Sequence, residues 1–513
     1  MKPLQRTIRW TCTLSAALIA TSALAACGAG NTSAPADKAG SKDNAAQSNT
    51  PTKITMMINL KNPETPSDTV EKFVEEKTNT QLEIQWVPDG SYDEKFQAAL
   101  ATGSLPMISY LKNAASFINL RSALKSGQFW EIGPYLKDYP NLSKLNPEVL
   151  KNTTVDGKIY TLYQELPMAR QGVMYRKDWA DKLGIPEPKT TDDLYNMLKK
   201  FKEADLGGAG KTVPLADRND LVYGSFKTLS SYFGTPNNWG VENGQLVPEF
   251  KTKGYMDTMN FIKKLHKEGL INQDFPVTSK TDQQNMMFTG RAGMYIGSLQ
   301  DAEPQLMRKT LPNVKDAQYE VVNKIIGPTG KPATWAVPGY GTVLVFPKSA
   351  VKSEAELKKL LAFADKLFDK DIANALYYGL EGPNYTLKDG KVVPVADAKV
   401  LAKDVSPYQG MTLARITNIL PQSYQYPVGE KAEQLIKEAE SFALQDPTNP
   451  LDSKTYNEKG AKLQDIIKDA TYKYILGNID EKGFQDAVKK WEEQGGAKII
   501  EEFNASYKAS GGK

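Results

Sequence analysis

Between residues 54 and 111 the apolar pattern changes period four times, and that alternation restricts the fold more than any other feature. Residues 54–60 (ITMMINL) read as a strand, and Val70, Phe73 and Val74 mark a helix behind the N-cap candidates Ser67 and Asp68. Leu82, Ile84 and Trp86 alternate as a second strand. Tyr92, Phe96 and Leu100 line a second helix that ends before Pro106, and residues 107–111 form a third strand. A βαβαβ order requires parallel strands joined by right-handed crossovers, with helices covering the sheet. The expected class is therefore α/β. Ligands of such sheets bind beyond the strand C-termini, which singles out Asn59, Lys61, Tyr110, Lys112 and Asn113 as candidates.

A second organising stretch is VMYRKDWADKLGIPEP, residues 173–188. The apolar run 173–175 predicts a strand, and Asp178 is a candidate N-cap for a helix carrying Trp179 and Leu183. Gly184 is placed to end that helix, and Pro186 and Pro188 prevent its continuation. Upstream, residues 157–163 read as a turn and a strand. The kinked segment Leu166-Pro167-Met168-Ala169-Arg170 between them suits a crossing between two lobes. Arg170, at its end, could grip a hydroxyl pair or a carboxylate bidentately, or brace the crossing.

Further along, 191–204 is a helix. GGAGKT at 207–212 is not a phosphate-binding loop: position 205 is Asp where the first glycine should stand, and a helix precedes it where a strand is required. Arg218, Asp220 and Tyr223 fall on a loop after an apolar segment. A helix over 255–268 holds the single histidine, His266, close to its C-terminal Gly269. One histidine removes His–His metal pairs, and no G-x-S-x-G elbow is present. The C-terminal stretches 456–476 and 482–503 carry apolar residues at three–four spacing and are expected to be packing helices.

The chain has 513 residues, enough for two or three domains. Its formal charge is +4, with Lys2, Arg6 and Arg9 in a segment that looks removable. The remaining excess is near +1 (64 − 3 basic against 60 acidic), which excludes a generic nucleic-acid binder. Residues 1–26 combine a basic start, an apolar stretch and small residues, the pattern of a secretory signal. Leu24-Ala25-Ala26-Cys27 has the form of a bacterial lipobox, with Cys27 as the lipidated residue. Cys12 is the only other cysteine, so the mature chain has no disulfide framework. Residues 28–52 lack large apolar side chains and read as a flexible tether.

Four motifs in order resemble one family. They are residues 157–163 with Tyr175-Arg176-Lys177-Asp178-Trp179 and Lys182-Leu183-Gly184-Ile185; Ala101-Thr102-Gly103-Ser104-Leu105-Pro106, where Met107 replaces the usual Asp; Phe288-Thr289-Gly290-Arg291-Ala292-Gly293-Met294; and Glu381-Gly382-Pro383-Asn384-Tyr385. Together they are similar to the bacterial extracellular solute-binding proteins of ABC importers. Within these, the chain most resembles the long LipO-like lipoproteins of Gram-positive bacteria and their alginate-binding relatives. The resemblance runs from about residue 53 to 507. It implies a two-lobed periplasmic-binding-protein-like fold (type II), each lobe a mixed sheet flanked by helices, with three crossings at the hinge. One lobe would comprise 53–165 and 340–405, the other 166–339 and 406–507, with 508–513 as a tail. The second crossing would lie near 334–346 and the third within 392–408.

The resemblance further implies ligand contacts at Gln300 and Asp301, at Trp335 and Tyr340 by the second crossing, and at Glu381 and Tyr385. Tyr424, near the start of the C-terminal helices, completes the candidate set. Many relatives carry a calcium loop at 205–216, but of its ligand positions (Asp205, Gly207, Ala209, Ala216) only Asp205 offers a side-chain oxygen. Neither a metal nor a cofactor is therefore expected. The implied function is capture of a carbohydrate, an oligosaccharide, by a monomeric receptor lipid-anchored on the outer face of the cell membrane. The partner would be an ABC-importer permease. The chain's 24 tyrosines and 7 tryptophans are compatible with stacking on sugar rings, although any one of them can equally be core. Two other readings stay open: a secreted glycan-acting enzyme using paired carboxylates, and a peptide- or sensor-linked binding protein on the same fold.

Overall fold

The computed structural model describes residues 50–60, 64–413 and 418–512. Lys61, Cys27, the leader and nearly all of the tether lie outside the described residues. Nine strands build two main sheets: β1 (Thr52–Leu60), β2 (Thr80–Pro88), β3 (Ile108–Leu111), β4 (Leu162–Glu165), β5 (Gln171–Arg176), β6 (Val213–Ala216), β7 (Ala292–Ser298), β8 (Tyr319–Val322) and β9 (Tyr340–Val345).

The first sheet has the order β2–β1–β3–β9–β4. Its β1, β2 and β3 are parallel, as the βαβαβ pattern requires. Late in the chain, β9 enters antiparallel between β3 and β4. The second sheet has the order β8–β5–β7–β6, with β6 and β7 parallel and β5 antiparallel to both its neighbours. β5 is buried along its whole length. Its alternate side chains serve two packing clusters: Val173 and Tyr175 join one, Met174 the other. A strand covered on both faces reads as a continuous apolar run, which is why VMY stood out.

β4 belongs to the first sheet and β5 to the second, so residues 166–170 carry the chain from one sheet to the other. Residues 323–339 carry it back. Tyr408, Met411 and Leu413 still pack in the first core, and Val428 packs against the second sheet. The third passage therefore falls after Leu413, later than the expected 392–408, because that stretch folds back on the first core. A buried cation also ties the two parts. Arg121, on the helix Ala114–Lys125, donates to the carbonyls of Leu451 (2.7 Å) and Asn449.

Three local expectations are corrected. Asp178 does not cap the helix Lys177–Lys182 with its side chain. It grips the buried Arg176 through Nε (2.7 Å) and Nη2 (2.5 Å), since a buried guanidinium demands a carboxylate more strongly than a short helix demands a cap. Asp68 likewise makes no capping bond and pairs with Lys72 at 2.7 Å. The expected single helix over 482–503 is two, Glu481–Trp491 and Ala497–Ala509. They are separated at Gly495, whose φ of 143° suits glycine and few other residues. Both still bury an apolar side (Phe484, Val488, Trp491; Ile499, Phe503) against the second core.

Candidate functional site

The C-terminal ends of β6 and β7 and the N-terminal end of β5 meet at one edge of the second sheet, where Ser298 pairs with Gln171. A pocket of about 230 Å³ opens there, lined by Arg170, Gln171, Arg218, Tyr223, Lys280, Tyr295, Ser298, Gln300 and Asp301. Arg170 precedes β5, and its carbonyl accepts the N–H of Leu299 (2.8 Å), which fixes the turn after β7 that presents Gln300 and Asp301. Gly172 leaves room for its neighbours here: a Cβ would sit 2.6 Å from the Val322 carbonyl oxygen and 2.8 Å from the Leu299 side chain.

Arg218 follows β6 by two residues and is buried. Its Nη2 donates to the carbonyl of Tyr223 at 2.7 Å, closing the loop 218–223, and lies 3.5 Å from Asp220. Asp220 uses its other oxygen to accept the backbone N–H groups of Val222 (3.0 Å) and Tyr223 (2.9 Å). Asp217 accepts the N–H (2.9 Å) and hydroxyl (2.5 Å) of Ser225 and so holds the start of the helix Ser225–Tyr232. Gly224 fits against it because a Cβ would lie 2.8 Å from that carboxylate. Burial pushes the Asp217 carboxyl up, against the downward pull of those bonds and of Arg218. Burial also raises Asp301, opposed by the charges of Lys280, Arg218 and Arg170 and by the Tyr295 hydroxyl.

The ring of Tyr223 is 46% exposed and lies edge-on to Trp335, with centroids 5.7 Å apart. Trp335 is buried and donates from Nε1 to Thr228 Oγ1 at 3.1 Å. Such an aromatic edge beside convergent polar groups is the general form of a small-molecule site.

Of the other candidates, Tyr110 is a core residue of β3. Tyr340 is buried edge-on to Phe117 at 5.8 Å. Lys112 lies 3.1 Å from Asp93 and donates to the Asp89 carbonyl at 2.9 Å, and those acidic neighbours raise its pKa. Asn113 caps the helix Ala114–Lys125 through Ser116 N–H (2.9 Å), and Asn59 donates to Asp89 at 2.9 Å. Tyr424 is half-buried with its ring against Gly429. Glu381 and Tyr385 line a separate cavity of about 700 Å³ together with Phe73, Asn374 and Leu380. The sequence reading missed Lys280, Tyr295, Ser298 and Gln171. Tyr295 and Ser298 sit on a strand that reads only as apolar, and Lys280 is one lysine among many.

In the loop 205–212, Asp205 accepts from the N–H groups of Gly210 (2.6 Å) and Thr212 (3.2 Å) and from the Thr212 hydroxyl (2.7 Å). These bonds hold its carboxyl below the usual range. The turn is closed by the chain's own donors.

The profile of the bacterial extracellular solute-binding protein family matches residues 61–371. The chain belongs to that family. It is 42% identical over 460 residues to the polygalacturonan/rhamnogalacturonan-binding protein YtcQ of Bacillus subtilis, covering 89% of this chain and 91% of that one. It is also 38% identical over 474 residues to lipoprotein LipO of the same organism, covering 89% and 92%. Among solved structures, a solute-binding protein from Bifidobacterium longum infantis superposes with a TM-score of 0.69 at 19% identity, over 90% of this chain and all of that one. The fold is thus that of the two-lobed solute-binding proteins, and members of this family bind substrates for ABC transporters rather than transform them. Among the described residues, no helix is long and apolar enough to cross a membrane.

Proposed function

We propose that this solute-binding protein is a lipid-anchored extracellular receptor that captures an oligosaccharide and presents it to an ABC-importer permease. The observation that carries the reading is convergence. Arg170, Arg218, Tyr223, Gln300 and Asp301, drawn from three distant parts of the chain, line one pocket at the strand ends. The carbohydrate ligand is supported by the name of YtcQ, and the anchor by that of LipO and by the Cys27 motif. One lobe would contain 53–165, 340–413 and 418–423, the other 166–339 and 424–507, closing on the ligand about the three passages. The volume of about 230 Å³ suits a single sugar ring, with the rest of the ligand running past Tyr223 towards the facing lobe.

A thermal-shift panel of oligosaccharides tests the reading. A ligand at a hundredfold over its dissociation constant adds about 2.7 kcal/mol to stability. Recovery of unchanged sugar from a shifted sample supports a receptor, and shortened products would favour an enzyme. A panel with no shift would remove the carbohydrate reading. For the anchor, Cys27→Ser should move the protein from the membrane fraction to the medium, and its retention on the membrane would refute lipidation.

A further inference from the structure

We propose that the pocket reads an ionised carboxylate on the sugar, so that the receptor takes uronate units as free acids and refuses their methyl esters. This inference rests on the carbohydrate-receptor reading. Three cationic side chains, Arg170, Arg218 and Lys280, line the pocket against one carboxylate, Asp301. Arg218 is 6% exposed, and its Nε has no hydrogen-bond partner among the described residues. The carboxylates nearest to it in sequence are engaged elsewhere. Asp217 holds Ser225, and Asp220 holds two backbone N–H groups and reaches Arg218 only at 3.5 Å. On its other side Nη1 is 3.5 Å from Gln283 Oε1, a weak contact.

A buried guanidinium whose Nε lacks a partner and whose ion-pair contact with Asp220 is long, 3.5 Å, is costly until an anion arrives. A planar carboxylate supplies two acceptor oxygens in the geometry of the guanidinium edge. Lys280, exposed at the start of the helix Lys280–Phe288, adds a second positive charge at the mouth. Asp301 has the opposite role. An acceptor-only carboxylate takes a hydrogen bond from a ring hydroxyl and repels a second acid group. The site therefore selects a ring carrying a carboxylate next to hydroxyls. A methyl ester of that group keeps the shape but loses the charge and one strong acceptor.

The test is isothermal titration of the full chain with three probes: trigalacturonate, its methyl ester and the neutral galactotriose. The acid should bind at least tenfold more tightly than either other probe, and added salt should weaken it. Lys280→Gln, at an exposed position, should cut the acid's advantage over the ester and the neutral trimer several-fold. Equal binding of acid, ester and neutral trimer would overturn the charge reading and leave the receptor reading standing. An acid preference that Lys280→Gln does not alter would remove Lys280 from it. Binding of none of the three would overturn both.

Discussion

Two cavities among the described residues differ in a way that size alone would misjudge. The larger, about 700 Å³ beside Glu381 and Tyr385, is bounded by the helix Lys370–Tyr378 and its neighbours, and two of its polar side chains, Asn374 and Asp371, are already engaged. Asn374 donates to the carbonyls of Lys370 (2.6 Å) and Asn418 (3.0 Å) and accepts the N–H of Leu420 (2.8 Å), while Asp371 pairs with Lys77 at 3.1 Å. The smaller, about 230 Å³, sits at strand ends, where backbone direction delivers Arg170, Arg218 and Asp301 to one point. Its buried cation retains an open donor. Polar groups that satisfy each other stabilise a fold, and the unpartnered donor of Arg218 is what favours the smaller cavity as the proposed site.

That contrast can be broken or sharpened by substitution. The largest effect is expected from Arg218→Ala. Truncating a buried, hydrogen-bonded charge costs about 2–5 kcal/mol, so affinity should fall on the order of a hundredfold by calorimetry. Circular dichroism would check that the loop carbonyl of Tyr223, left without its donor, has not unsettled the fold. Tyr223→Ala should weaken binding about tenfold, the scale of one aromatic contact, with little change in melting because the ring is half exposed.

Asp301→Asn should lower affinity less and change the pH response. Its folded carboxyl titrates above the ordinary 3.8, chiefly because it is buried. Between 3.8 and the raised value the folded chain keeps a proton that the unfolded chain has lost, so this group's contribution to stability declines as pH rises through that window. The Asn variant lacks the decline. Its melting temperature should gain on the parent as pH rises, and a constant difference across pH would show that Asp301 is not shifted. Smallest of all, Glu381→Gln should leave binding within twofold, and a clear loss there would shift the site to the larger cavity.

Much of this was legible because it is local. The alternation over 54–111 gave three parallel strands in register, the helix expected over 191–204 spans Thr191–Ala204, and Gly184 takes the left-handed φ of 63° that ends its helix. Asp178 misled because its carboxylate has two suitors, and the choice of Arg176 over the helix end depends on burial that no short window reveals. The loop after an apolar segment singled out Arg218, which lines the smaller pocket, while the strand-end rule singled out Lys112, which the first sheet pairs with Asp93. Lys280 was illegible for a different reason: only the folding of its helix beside β7 gives that lysine an address.

The most direct measurement is a crystal structure of the chain with whichever oligosaccharide raises its melting temperature. Ligand density among Arg170, Arg218, Tyr223 and Asp301, with a carboxylate on Arg218, is the expected result. A sugar bound beside Glu381 and Tyr385, with the Arg218 pocket filled by water, would contradict the assignment of the site.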